Sequence, residues 1–145
     1  MPTNLYGPGD NFDLNSSHVL PALLRKAHEA KMRGENEITI WGTGTPRREF
    51  LHADDCADAL VFLMKNYSDD SHVNVGSEED ISILELAELI CKIVGFEGDI
   101  KHDLSKPDGT PRKLMSAAML NGLGWKASTS LATGIRDTYR TFLRV

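Results

Sequence analysis

Cysteine is scarce in this chain of 145 residues, which contains only Cys56 and Cys91. Both lie in apolar patterns with helical spacing, and neither has the spacing of a metal-ligand pair. The two residues therefore argue against a disulfide framework and against a cysteine-based metal site. We expect two small buried thiols, no metal, and a reducing compartment, the cytoplasm.

Long hydrophobic runs are also missing. The longest apolar stretches, such as 59–64, are far too short to cross a bilayer, and the N-terminus lacks the pattern of a secretory signal. A net charge of −5 argues against general binding to nucleic acid or anionic membranes, so we expect neither as a partner. Seven of the 16 basic residues fall at 25–26, 47–48 and 106–113, which leaves open a discrete anion site or scattered solvated charge.

Two motifs of nucleotide-dependent oxidoreductases cannot be found. Gly42-x-Gly44 lacks the third glycine of a dinucleotide fingerprint, is followed by Pro46, and leads into an extended segment instead of a helix. A tyrosine acid needs a lysine four residues later to lower its pKa, and no tyrosine has one. The chain alone is therefore predicted neither to bind a dinucleotide usefully nor to reduce a ketone.

Hydrophobic periodicity predicts one compact α/β unit. Residues 1–17 are predicted to be a strand end and a long loop. Ser16 or Ser17 is a predicted N-cap, Ser82 with Glu85 a capping box, and Ser116 and Ser130 further caps. Asp54 and Asp55 are interpreted as residues of a helix start. Helices are predicted over 19–32, 54–65, 83–94, 117–122 and from 131 onward, and strands over 37–41, 47–51, 71–75 and 100–103.

Several segments carry a family resemblance. Pro2-Thr-Asn-Leu-Tyr-Gly-Pro8 resembles the strand end and loop that follow the catalytic helix of extended short-chain dehydrogenases/reductases. Residues 15–24 (NSSHVLPALL), 41–55 (WGTGTPRREFLHADD), 106–114 (KPDGTPRKL) and 123–125 (LGW) are similar, in order and spacing, to substrate segments of the GDP-L-fucose synthase family. The resemblance covers nearly the whole chain.

This resemblance implies a fold and a function. The fold is the small C-terminal substrate-binding domain, residues 1–145, with 1–17 at the edge of a Rossmann domain that is missing here. The function is NADPH-dependent conversion of GDP-4-keto-6-deoxy-D-mannose to GDP-L-fucose, by inversion at C3 and C5 and reduction at C4. The implied partners are a GDP-sugar, NADP, the Rossmann domain and, for the full-length protein, a second copy in a homodimer. The 145-residue chain alone is predicted to be inactive.

The resemblance also assigns roles to residues. His18 is implied to be the acid of the epimerisation, because an imidazole exchanges protons near neutral pH. Substrate-binding positions are implied at Lys26, Trp41, Arg48 and Asp108. Cofactor-binding positions are implied at Pro2, Thr3, Asn4, Leu5 and His18.

Other interpretations stay open. His18 can be a capping or surface residue, Trp41 a core residue, and Asp108 a turn residue. Arg47 is expected to be solvated, and apolar surface is expected around Leu5, Tyr6 and Phe12. The chain can also belong to an epimerase or dehydratase for another nucleotide sugar, or to a non-enzymatic sugar-nucleotide-binding module.

Overall fold

Helices and short strands follow one another along the chain in a computed structural model that describes residues 1–144. The helices are α1 (Val19–Arg33), α2 (Ala53–Asn66), α3 (Ile83–Val94), α4 (Ala118–Gly122) and α5 (Leu131–Phe142). The strands are β1 (Asn4–Tyr6), β2 (Glu37–Trp41), β3 (Arg47–His52), β4 (Asp80–Ser82), β5 (Asp99–Asp103) and β6 (Arg112–Lys113). The predicted α/β class is confirmed.

Strand β3 is the centre of the larger sheet. Its C-terminal half pairs in parallel with β1, in the register Asn4↔Phe50 to Tyr6↔His52. Its N-terminal half pairs antiparallel with β4 and parallel with β6. Strands β2 and β5 form a separate parallel pair. One strand of six residues therefore joins β1 to the elements around β4 and β6.

Two hydrophobic cores lie against β3. The larger core collects side chains of α1, α3, α5 and β2, and Phe50 of β3 belongs to it. The smaller core packs α2 and α4 with Val73, Val75 and Trp125, and Leu51 of β3 belongs to it. Adjacent strand residues point to opposite faces, so Phe50 and Leu51 serve different cores. Cys56 and Cys91 are both buried and unpaired, as predicted.

Most helix ends follow their predicted signals. Helix α1 stops at Gly34, whose φ of 65° is left-handed. The capping box of α3 is formed: Glu85 N–H donates to Ser82 Oγ (3.1 Å), and Ser82 N–H donates to Glu85 Oε2 (2.8 Å). Ser130 Oγ accepts from Thr133 N–H at 3.2 Å at the start of α5.

Other helix starts differ from prediction. His18, and not Ser16 or Ser17, is the N-cap residue of α1, and no side chain caps this helix. Helix α2 is capped by His52, whose Nδ1 accepts from Asp54 N–H at 3.3 Å. At α4 the N-cap residue is Ala117, although Ser116 Oγ accepts from Ala118 N–H at 3.3 Å.

Asp55 is a buried tether and not only a residue of a helix start. Its Oδ2 accepts from Thr129 N–H at 2.9 Å, and its Oδ1 accepts from the hydroxyls of Ser128 and Thr129. These bonds tie α2 to the segment that precedes α5. These hydrogen bonds could not be predicted from local sequence, because their donors lie more than 70 residues from Asp55.

The strand predicted over 71–75 is wrong. Only Val75 makes a ladder contact there, a single parallel bridge to Pro2. The short strand β4 was not predicted, and it exists because residues 80–82 pair with Arg47–Glu49. A segment of three residues carries too little alternation to be recognised without its partner strand.

The exposed apolar surface also differs from expectation. Leu5 is exposed as predicted, but Tyr6 is buried in the larger core, and Phe12 packs on Phe142 with ring centroids 4.7 Å apart. The large exposed apolar residues of α2 are Leu60, Val61 and Met64, which we call the α2 stripe. No helix within residues 1–144 is long and apolar enough to span a membrane.

Candidate ligand-binding site

A cavity of about 310 Å³ brings together all four predicted substrate-binding residues. Lys26, Trp41, Arg48 and Asp108 line it, although they come from α1, β2, β3 and the loop before β6. We call it the tryptophan cavity. Much of the remaining wall is apolar, so a few polar groups face a largely hydrophobic space, as in small-molecule sites.

Helix α1 supplies one wall through its periodicity. Val19, Ala22, Leu23 and Lys26 all line the cavity, and they recur with the i, i+3, i+4, i+7 spacing of one helix face. The stop at Gly34 lets the chain turn back into β2, which ends with Trp41 at the cavity. Lys26 and Trp41 thereby become neighbours although 15 positions separate them.

Trp41 presents an exposed indole flanked by two ammonium groups. Its exposed fraction is 62%, so its interpretation as a core residue is wrong. Lys26 Nζ lies 5.6 Å and Lys106 Nζ 5.4 Å from the ring centroid, within cation–π range. Lys26 also donates to the carbonyl of Thr39 at 3.1 Å, and its partial burial lowers its pKa. The result is a flat apolar surface with positive charge beside it.

The two adjacent arginines have different partners. Arg47 is not simply solvated, because it pairs with Asp80 at 2.9 Å and Glu85 at 3.2 Å. Arg48 donates to the carbonyls of Thr110 (2.6 Å) and Arg47 (2.7 Å), and within residues 1–144 it forms no ion pair. Arg48 therefore brings to the cavity a positive charge that no carboxylate of the described chain neutralises.

Asp108 fastens two loops together at the cavity wall. Its Oδ1 accepts from Thr43 N–H at 2.9 Å, and its Oδ2 accepts from the Thr43 hydroxyl at 2.7 Å. A Cβ at Gly42 would lie 2.2 Å from Oδ1, so the contact requires glycine there. Asp108 is thus more than a turn residue, and a carboxylate oxygen that accepts one bond keeps room for a second.

A second cavity, of about 540 Å³, contains most of the predicted cofactor residues. Thr3, Asn4, Leu5 and His18 line it, and we call it the histidine cavity. Val19 and Arg48 line both cavities, so the two are adjacent. Pro2 does not line either one, and its backbone bridges to Val75 instead.

His18 lies at the mouth of the histidine cavity with its ring exposed. His18 is the N-cap residue of α1 by position and is exposed, but within residues 1–144 its ring makes no capping bond to the helix. Its side chain is therefore available to a ligand in that cavity.

Glu49 has a buried carboxylate that links β3 to neighbouring segments, and its backbone contacts two residues of the histidine cavity. Sequence patterns alone did not identify this residue. Its Oε1 accepts from Glu78 N–H at 2.8 Å and its Oε2 from Met115 N–H at 3.2 Å. Its backbone carbonyl accepts from Asn4 Nδ2 at 2.8 Å and from the Thr3 hydroxyl at 3.4 Å. The sequence feature that could have indicated its burial is its place as an acidic residue at the start of the apolar, buried part of β3.

Within residues 1–144, no group of three or more His, Cys, Asp or Glu side chains is placed to hold a metal ion. The polar side chains at the two cavities include two cations, an imidazole, the tethered carboxylate of Asp108, hydroxyls and the amide of Asn4. Such a set suits an anionic organic ligand.

Known proteins are similar to the chain in sequence and fold. The model of the NAD dependent epimerase/dehydratase family matches residues 1–76. The GDP-L-fucose synthase of Sinorhizobium fredii is 59% identical over 143 residues, which are 99% of this chain and 46% of that protein. GDP-L-fucose synthase 1 of Arabidopsis thaliana is 57% identical over 144 residues, 99% of this chain and 45% of that protein. The resemblance inferred from the motifs is confirmed.

A solved structure extends the similarity to three dimensions. The GDP-L-fucose synthetase of Naegleria fowleri bound to NADP has a TM-score of 0.92 and 34% identity. The match covers 99% of this chain and 45% of that one. The chain spans about half the length of the curated relatives it matches.

Proposed function

Because the chain belongs to the NAD dependent epimerase/dehydratase family, we propose that it is the GDP-sugar-binding portion of an NADPH-dependent epimerase/reductase. The proposed reaction converts GDP-4-keto-6-deoxy-D-mannose to GDP-L-fucose. The observation that carries the proposal is the meeting of Lys26, Trp41, Arg48 and Asp108 in one cavity, next to a second cavity that contains His18. Similarity to GDP-L-fucose synthases over 99% of the chain supports the choice of substrate.

The tryptophan cavity is proposed to bind the nucleotide. The exposed indole of Trp41 offers a stacking surface for the base, and the positive groups beside it favour an anionic ligand. Arg48 can donate two parallel bonds to phosphate oxygens, and Lys26 adds a second positive charge. Asp108 keeps acceptor capacity for a hydroxyl or a base N–H while it holds the loop.

His18 is proposed to be the acid of the epimerisation. Inversion beside a ketone requires one group to remove a proton and another to return it on the opposite face. His18 is exposed and lines the histidine cavity, and it precedes Val19, which lines both cavities. The base of this pair is proposed to come from the rest of the full-length enzyme.

NADP is proposed to lie along β1. The bound cofactor would supply the hydride for reduction at C4. One cavity is lined by Thr3, Asn4, Leu5 and His18, so these residues fit a common border for its nicotinamide end. Pro2 directly precedes Thr3. Arg48 lines this cavity too, so a nicotinamide there would lie near a sugar attached to the diphosphate.

The rest of the full-length enzyme is proposed to pack on two features of this chain. Strand β1 lies at the end of the order β1-β3-β4, so its outer edge can pair with a strand of a Rossmann domain. The α2 stripe exposes Leu60, Val61 and Met64, which a neighbouring domain can cover. A homodimer is proposed for the full-length enzyme, and its location is proposed to be the cytoplasm, where thiols such as Cys56 and Cys91 stay reduced.

Calorimetric titration with nucleoside diphosphates tests the proposal. We expect the chain to bind GDP more tightly than UDP, and Arg48→Ala to weaken GDP binding about 10- to 100-fold, because a charge-assisted contact is lost. Arg136→Ala is the matched control, because this exposed arginine lies on α5 and lines neither cavity. Equal binding of GDP and UDP would favour an enzyme for another nucleotide sugar.

Solvent exchange tests the role of His18. In the full-length enzyme, His18→Asn should slow deuterium incorporation at C3 and C5 about 10²–10⁴-fold, the usual loss for one general acid. The 145-residue chain alone should not oxidise NADPH. Wild-type exchange in the variant would show that His18 is structural, and loss of NADPH oxidation without loss of exchange would assign it to the cofactor only.

A further inference from the structure

Ser17 carries a hydroxyl that the protein itself does not use. The residue lines the tryptophan cavity, and its Oγ is buried without a hydrogen-bond partner in the described chain. Helix capping does not account for it, because α1 has no side-chain cap. Buried hydroxyls are nearly always bonded, so an unpaired one at a cavity needs an explanation.

The neighbouring serine shows the contrast. Ser16 is exposed and its Oγ accepts from Asn11 Nδ2 at 3.0 Å. The backbone N–H groups of both serines donate to the carbonyl of Asp13, at 3.1 Å from Ser16 and 2.7 Å from Ser17, so the two differ in their hydroxyls. The loop therefore holds Ser17 firmly at the cavity while leaving its hydroxyl free of internal bonds.

The position of Ser17 indicates which part of a ligand it meets. Val19 and Arg48 line both cavities, so they mark the junction, and Ser17 is two residues before Val19. Lys26, beside Trp41, is seven residues beyond Val19, or about 10 Å along the helix axis. A nucleotide whose base lies on Trp41 would extend its diphosphate toward Arg48 and Ser17.

We propose that the Ser17 hydroxyl donates a hydrogen bond to an oxygen of the ligand's diphosphate. This inference rests on the proposed function, because it needs a nucleoside diphosphate in the tryptophan cavity. A single torsion, χ1, positions Oγ, and rotation between its staggered positions turns the hydroxyl from its covered position to the ligand. Ser17 then adds a neutral donor to the charges of Arg48 and Lys26.

Titration of the chain with GDP tests the inference, because GDP carries the diphosphate without the hexose. Ser17→Ala should raise the Kd about tenfold, the effect of one hydrogen bond to a charged group. Its melting temperature should stay at the wild-type value, because no internal bond is removed. Ser16→Ala, the matched control, should leave the Kd unchanged.

Arg48→Ala separates this inference from the proposed function. If Arg48→Ala weakens GDP binding and Ser17→Ala does not, the role of Ser17 is wrong and the GDP site remains. If the wild-type chain does not bind GDP, or if neither variant weakens binding, both are wrong. If Ser17→Ala lowers the melting temperature together with affinity, its hydroxyl is structural and the inference fails.

Discussion

Gly134 is the position at which packing should override helix propensity. It lies buried near the start of α5, and an alanine there would ordinarily stabilise the helix by about 0.8–1 kcal/mol. The Cβ of an alanine at this position, however, would lie 2.1 Å from Tyr6 Oη, 2.8 Å from Tyr6 Cζ and 3.0 Å from His52 Cδ2. Both rings are almost fully buried, so neither can swing into solvent.

The net effect of Gly134→Ala can be worked out from these contacts. Overpacking a core typically costs about 1–3 kcal/mol, and a contact of 2.1 Å with a buried ring belongs in the upper half of that range. After subtraction of the gain in helix propensity, the free energy of unfolding should fall by about 1–2 kcal/mol. For a chain of this size, each kcal/mol lowers Tm by about 2–4 °C, so a drop of about 2–8 °C is expected.

Thermal denaturation followed by circular dichroism measures this drop. Gly122→Ala is the matched control, because Gly122 also belongs to a helix, as the last residue of α4, but no atom of residues 1–144 lies within 4 Å of the Cβ position there. Its Tm should stay level or rise. Adding Tyr6→Phe to Gly134→Ala removes the shortest contact and should restore part of the loss. A Tm for Gly134→Ala at or above wild type would show that α5 moves away from β1 without cost, which would refute the reasoning.

Two pH-dependent predictions concern other groups. Burial, together with the charge of Glu88, raises the pKa of Cys91 to about 11 in the folded protein. The unfolded chain therefore loses the thiol proton at lower pH, and the free energy of unfolding should fall as pH rises from about 8.5 toward 11. Cys91→Ala should flatten that alkaline slope, and a native Cys91 that reacts with a thiol dye at the unfolded rate would contradict the argument. Hydrogen bonds from Arg47 and Arg112 lower the pKa of Asp80 in the folded protein. The ionised Asp80 therefore stabilises the fold at pH values above the ordinary carboxyl pKa. This stabilisation should be lost as pH falls through the lower pKa of the folded state. Asp80→Asn should lose this acid dependence in pH-dependent melting, and an unchanged acid limb would contradict it.

The elements that could be predicted from the sequence are those whose signals are local. Helix α3 has both halves of its capping box and an apolar face within 12 residues, and β2 alternates cleanly. Strand β4 depends on Arg47–Glu49 as a partner, and residues 71–75 alternate like a strand but have a bridge only at Val75. In both cases the pairing with a distant segment determines whether a strand forms, and the local sequence pattern does not give this pairing.

The candidate site divides in the same way. Lys26, Trp41, Arg48 and Asp108 came from motif resemblance, and the fold places them in one cavity. The burial of Glu49 and the unpaired hydroxyl of Ser17 could not be predicted, because both are properties of atoms in a packed interior. The sequence around a serine or glutamate does not indicate whether its polar atoms are hydrogen-bonded in the folded protein.

Strand β3 also bears on how ligand preference could diverge among relatives. Its first half carries Arg48, the proposed phosphate contact, and its second half pairs with β1. The distance between Arg48 and β1 is therefore set by a run of backbone that rises about 3.3 Å per residue. Gain or loss of one residue within it would turn the later side chains to the opposite face and exchange the cores that Phe50 and Leu51 serve. The loops at 42–46 and 104–111 have no such constraint on length. Adaptation to larger or smaller ligands should therefore accumulate as insertions in those loops, while β3 keeps its length.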